Sequence, residues 1–279
     1  MSGETGFPGR IPAAYFSTET SSFTDLLGRV APELLPGRQP LPPGDMGDAV
    51  PHGTTIVALR CNQGVVMAGD RRATQGNMIS NREIRKVHAA DSHSLIGIAG
   101  TAGIGMEMIR LFQAELEHFE KLEGISLSLH GKANKLANMI RGNLGIAMQG
   151  LAVVPLFCGF DVDAADPASA GRIFSYDMAG SLQEESHYDA IGSGSIFAKS
   201  ALKKRFQSPV DADEAVRLAV SALYDAADED SATGGPDLSR KLYPVVMTST
   251  AEGTLRVPDA EVGEISRQVV EARMENPGG

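Results

Sequence analysis

The sequence predicts an α+β fold: two antiparallel sheets packed face to face, with helices covering their outer surfaces. Three observations lead there. Residues 54–100 read as short strands broken by turn-forming clusters, and residues 101–149 carry two long stretches with apolar residues at helical spacing. Strand-like runs return between 153 and 191 before helical stretches take over again. Stacked sheets clad in helices satisfy that order of elements. A chain of 279 residues, 42% hydrophobic and 22% charged, has ample length for a large core and the composition of a soluble globular protein. Its net charge of −10 argues against an extended basic surface for nucleic acid. No apolar run approaches the roughly 18 residues that a membrane span needs, and the N-terminus lacks the basic and apolar segments of a secretory signal. Cys61 and Cys158 are too few for a disulfide framework, which points to a reducing cytoplasm. The six histidines are dispersed, with no Cys-x-x-Cys or His-Glu-x-x-His spacing, so neither a metal nor a cofactor is expected.

Residues 1–53 differ from the rest. Eight of the fifteen prolines lie there, which prevents regular helix or central strand over most of the segment. One island stands out: Ser22 is placed to cap a short helix, and Phe23, Leu26, Leu27, Val30 and Leu34 follow at helical spacing. Two readings fit, a disordered tail or a removable leader whose apolar stripe docks on its own or a neighbouring subunit.

Thr54–Arg60 and Val65–Ala68 flank the turn-like Cys61-Asn62-Gln63-Gly64, and a hairpin there pairs residues whose numbers sum to about 124. Thr54 then lies across from Asp70, within a residue. A second hairpin, Ile84–Ala89 with Ser94–Ala99, sets Lys86 opposite Gly97–Ile98, close to Gly100. If both join one sheet at the same end, Thr54, Asp70, Lys86 and Gly100 converge. Thr101 caps a helix to about Gly124, and a second helix runs from about Ser128 to Gln149. Strands follow at Val153–Phe160, Arg172–Tyr176 and about Gln183–Ile191. Helices over about Ile196–Phe206 and Asp213–Asp228 come next, then a strand over Leu242–Thr250 and a helix from Pro258 to about Met274.

The chemistry starts at Gly53-Thr54. Cutting that bond gives Thr54 a free α-amine beside its own hydroxyl. Such an amine ordinarily titrates at about pH 7.7–8.0, which makes it a suitable base near neutral pH. Lys86 can set a cation beside the threonine oxygen, Asp70 can hold that cation charged and oriented, and the Gly100 N–H can donate to a developing oxyanion. Taken singly, Asp70-Arg71-Arg72 also fits a solvated turn, and Lys86 a surface charge on a strand.

Together, Gly53-Thr54-Thr55, Gly69-Asp70-Arg71-Arg72-Ala73-Thr74, Lys86 and Ala99-Gly100-Thr101 resemble the signature of proteasome β-type subunits. These are N-terminal-nucleophile threonine peptidases that release their active threonine by autolysis. The likeness runs from Gly53 to near the end. It is nearest to the bacterial β subunit of actinobacteria through Asp225-Ala226-Ala227-Asp228 and Ser231-Ala232-Thr233-Gly234-Gly235-Pro236-Asp237. It implies a four-layer αββα sandwich over 54–279, a propeptide over 1–53, and supporting roles for Ser193, Asp230 and Thr233. Many relatives carry serine at the position of Thr233, which keeps the hydroxyl. It also implies a pocket lined by Ala73, Thr74, Ile84, Ile98, Ala102 and Met106, uncharged and therefore suited to apolar residues before the cut. Thr74 would offer backbone hydrogen bonds to an extended peptide. As partners it implies α subunits, other β subunits in seven-membered rings, and a ring ATPase delivering tagged unfolded proteins. Three other readings stay open: an amidase of the same fold acting on a small molecule, a related two-ring bacterial peptidase, and a non-catalytic ring-building subunit.

Overall fold

A computed structural model describes residues 21–35 and 53–276. The expectation of extended chain over most of the leader falls on residues 1–20 and 36–52, outside the described residues. The island is helical: α1 (Phe23–Val30) starts at Ser22, whose hydroxyl accepts from the Asp25 N–H, and a 3₁₀ turn (Pro32–Leu34) follows. It docks on its own subunit, with Leu26 and Leu27 buried. Withdrawing such a side chain from water contributes about 1.5–3 kcal/mol.

After Gly53 come β1 (Thr55–Cys61), β2 (Gly64–Gly69), β3 (Ala73–Gln75), β4 (Met78–Asn81), β5 (Val87–Ala89) and β6 (Ser94–Gly100). Helices α2 (Ala102–Glu123), α3 (Leu129–Gly142) and α4 (Leu144–Ala147) follow, then β7 (Val153–Phe160), β8 (Gly171–Tyr176), β9 (Leu182–Glu185) and β10 (Tyr188–Gly192). The chain continues through α5 (Ser195–Arg205), α6 (Ala212–Glu229), β11 (Val245–Thr250), β12 (Gly253–Arg256) and α7 (Asp259–Glu275).

One sheet runs β10-β1-β2-β11-β12 and the other β5-β6-β7-β8-β9, all pairs antiparallel; β3 and β4 form a separate hairpin. Both sheets are covered on both faces, so their strands read as near-continuous apolar runs. Along β1, Ile56 and Ala58 face the other sheet and pack with Leu95, Leu156 and Ile173. Val57 and Leu59 face outward onto α5, α6 and α7, among Leu202, Leu223 and Val262. On the far side, Ile96, Phe157 and Phe174 meet Met108 and Phe112 of α2 and Leu136 of α3. The result is the four-layer αββα sandwich.

Several boundaries differ from expectation. The first hairpin pairs Ile56 with Gly69 and Val57 with Ala68, one residue from the expected register. The two hairpins do not share a sheet; they lie in opposite sheets, and their ends meet because the sheets stack. Ile84–Lys86 precede β5 rather than extending it. The second helix stops at Asn143, whose side-chain amide donates to the Met139 carbonyl and competes with the helix ladder beside helix-weakening Gly142. Gln183–Ile191 is two strands, β9 and β10, in different sheets. The last run starts at Val245, after Pro244, which has no N–H to give a ladder.

Candidate active site

Asp70 directly follows β2, and Lys86 directly precedes β5, so the two belong to facing sheets and meet at one end of the sandwich. The Lys86 ammonium donates to Asp70 Oδ1 at 2.6 Å, and both side chains are almost wholly buried. A buried carboxylate is costly unless donors surround it. Asp70 has four: Lys86 Nζ and the Thr55 N–H (2.8 Å) on Oδ1, the Arg72 and Gly234 N–H groups (both 2.9 Å) on Oδ2. Lys86 donates in addition to the Arg72 carbonyl at 2.5 Å and the Gly53 carbonyl at 2.9 Å. Burial pushes the Lys86 ammonium below its usual range, against the pull of Asp70.

Gly53 and Thr54 sit on this pair. The Thr54 hydroxyl donates to the Gly53 carbonyl oxygen at 2.6 Å, so that oxygen receives both the hydroxyl and the Lys86 ammonium. Gly53 has φ +97°, and a Cβ added there would lie 2.8 Å from Ala232 Cβ, the Ala232 carbonyl and Thr74 Oγ1. Only glycine fits that seat without strain.

On the other side of Thr54, its carbonyl accepts the Ser193 N–H at 2.9 Å. The Ser193 hydroxyl donates to Asp230 Oδ2 at 2.6 Å and lies 3.4 Å from the Thr54 carbonyl oxygen. Thr233 Oγ1 donates to the same carboxylate oxygen at 2.6 Å. All three residues singled out by resemblance are thus gathered into one hydrogen-bonded group. The sequence reading missed Thr55, which closes that group: its hydroxyl bonds Thr233 Oγ1 at 2.6 Å and accepts the Gly194 N–H at 3.1 Å. The signal was available, because successive strand residues point to opposite faces. Thr54 faces Lys86; Thr55 faces Thr233, in the turn after α6, and Gly194, the residue before α5.

A pocket opens beside Thr54, lined by Ala73, Ile84, Ile98, Ala102 and Met106 as expected, with Gly100 among them. Thr74 stands outside this lining, on β3, with its hydroxyl turned to Gly53. Four further residues join the wall: Arg85, His88, Gly105 and Ile109. The expectation of an uncharged lining is therefore corrected by Arg85 and Lys86. Burial lowers the pKa of His88, whose Nε2 lies 3.1 Å from the Arg85 carbonyl. Gly100 ends β6 with φ +111°, a Cβ there coming within 2.2 Å of the Ala152 carbonyl. Among the described residues no cluster of potential metal ligands occurs, and no helix is long and apolar enough to cross a membrane.

Comparison with known proteins gives the family. The proteasome subunit family matches residues 50–237. The "Proteasome subunit beta" of Stackebrandtia nassauensis is 79% identical over 279 residues, covering the whole of both chains. That of Saccharopolyspora erythraea is 60% identical, covering all of this chain and 98% of its own. With the sandwich, the seated glycine and the buried lysine–aspartate pair at its seam, these matches show that the chain belongs to the proteasome subunit family, among its β subunits.

Proposed function

We propose that this β subunit is a threonine endopeptidase whose nucleophile, Thr54, is exposed by self-cleavage after Gly53. One observation carries the reading: the Gly53 carbonyl oxygen is held by the Thr54 hydroxyl and the Lys86 ammonium, with Asp70 locking Lys86 in place. In the uncut chain, Thr54 Oγ1 attacks the Gly53 carbonyl carbon, and the two reactants start in contact, which replaces a bimolecular encounter. Negative charge develops on the oxygen that Lys86 already touches. The carbon–nitrogen bond then breaks, the proton from the hydroxyl ends on the Thr54 nitrogen, and an ester remains. Water hydrolyses the ester, giving the Gly53 carboxylate and a Thr54 with free amine and hydroxyl. In the mature enzyme that amine takes the proton as Oγ1 attacks a substrate carbonyl, the Gly100 N–H faces the oxyanion, and water resolves the acyl-enzyme. Ser193, Asp230, Thr233 and Thr55 hold the backbone of Thr54 and so orient its amine.

In this reading residues 1–53 are the removable propeptide and 54–279 the catalytic domain. The pocket favours apolar residues before the cut, with Arg85 and His88 giving it one polar side, and Thr74 lies where an extended peptide passes. The subunit works in the cytoplasm, in seven-membered β rings with α subunits, fed with tagged unfolded proteins by a ring ATPase. The amidase reading has no support from the family match, and the intact Thr54–Asp70–Lys86 set speaks against a ring-building subunit without activity.

The test is co-expression with a candidate α subunit, followed by intact mass, N-terminal sequencing and a fluorogenic peptide panel. We expect a chain beginning at Thr54 that cleaves after apolar residues, and neither processing nor cleavage in Thr54→Ala. A processed and active Thr54→Ala protein overturns the assignment, and a panel led by acidic residues overturns the pocket reading.

A further inference from the structure

Glu115 plays no part in the chemistry at Thr54, yet it is a fully buried carboxylate on the apolar side of α2. Its oxygens are divided between two parts of the chain. Oε1 pairs with the Lys135 ammonium of α3 at 2.8 Å. Oε2 accepts both the backbone N–H and the hydroxyl of Thr24, at 2.6 and 2.7 Å. Thr24 lies in the first turn of α1, where backbone N–H groups lack partners within the helix. Around this point the Phe23 ring rests on His118 with centroids 5.4 Å apart, and Leu26 and Leu27 are buried. The α2–α3 face is therefore a built site, and what fills it is a helix start bearing a hydroxyl.

That contact lies outside the site at Thr54. The pocket lining on α2 ends at Ile109, and Glu115 follows about 9 Å further along the helix. Residues 36–53 can span up to about 60 Å when extended, so the docked helix need not pull on Gly53. Cutting after Gly53 removes the tether and none of the contacts to Glu115.

We infer that the leader is a severable ligand of its own subunit: the α2–α3 face around Glu115 binds residues 22–35 and keeps them after the connecting chain is cut. Severing forfeits the effective concentration that a tether supplies, so the charged hydrogen bonds and the buried leucines carry the affinity alone. Thr24 and Glu115 are positioning residues for the leader.

The test does not depend on the threonine chemistry. A recognition sequence for an unrelated protease is placed between residues 37 and 50 of the full chain carrying Thr54→Ala, so that the cut is made from outside. The severed protein is passed over a sizing column at low micromolar concentration and weighed by mass spectrometry. We expect the leader fragment to elute with the body, and to bind about tenfold or more weakly after Thr24→Val or Glu115→Gln, while Thr24→Ser retains it. Thr24→Val lies in the leader and cannot unfold the body. Departure of the unsubstituted fragment at once, or equally tight retention with both Thr24→Val and Glu115→Gln, overturns the inference.

Discussion

Asp70 and Glu115 are both carboxylates with no exposure to solvent, each paired with one lysine, and they differ in what covers them. Every donor to Asp70 comes from the segment after Gly53: Lys86, Thr55, Arg72 and Gly234. Glu115 has one lysine from that segment, and its other two donors belong to Thr24 of the leader. The first acid takes none of its donors from α1; the second takes two of its three from there. In the proposed reading, burial of a charge thus marks a permanent site in one place and a temporary one in the other.

The sharpest break of that comparison is Asp70→Ala. It strands the Lys86 ammonium, only about a twentieth exposed, without its counter-charge, and should cost about 3–5 kcal/mol in urea unfolding of the full chain. Lys86→Met should lower peptide cleavage about a thousandfold, read with a fluorogenic peptide after assembly. Next comes Glu115→Ala. In a full chain kept uncut by Thr54→Ala it leaves Thr24 without its acceptor and should cost about 1–3 kcal/mol, whereas in a chain expressed without residues 1–53 the cost should fall toward zero. Equal costs in both would erase the distinction. Protonation works in the same direction. Burial by itself raises the Glu115 carboxyl pKa, but Lys135 and the Thr24 donors outweigh it and hold the group below the usual range. The stabilisation it gives is complete above the ordinary carboxyl range and is lost as pH falls through that lowered value. The smallest effect sharpens the contrast: Glu115→Gln should leave peptide cleavage by the processed enzyme within about twofold, since Glu115 is not part of the pocket lining, which on α2 ends at Ile109 about 9 Å before it.

The side chains at Thr54 were legible because strand register is arithmetic: two turn clusters and the four strand runs that flank them bring Asp70 and Lys86 to their places within one residue. The join between the hairpins was not, since stacking of separate sheets leaves no periodic trace in either. Backbone donors such as Gly234 N–H and acceptors such as the Arg72 carbonyl are invisible for the same reason; any residue supplies them. Glu115 was missed because an acid on a long helix reads as solvated. Its clue is position, three residues after Phe112 on the stripe that faces inward. The split of β9 from β10 turned on a bend at Ser186-His187, where the chain passes from one sheet to the other.

Gly97 of β6 packs tightly against the facing sheet: a methyl group there would stand 2.9 Å from Ile56 Cγ2 and 3.1 Å from Met67 Sδ. The reacting groups are bolted to opposite plates of this press, Asp70 on one and Lys86 on the other, and no strand ties the two directly. In the proposed mechanism the reactivity of Thr54 is thereby a gauge of plate spacing, and a wedge deep in the apolar filling should silence the threonine without touching it.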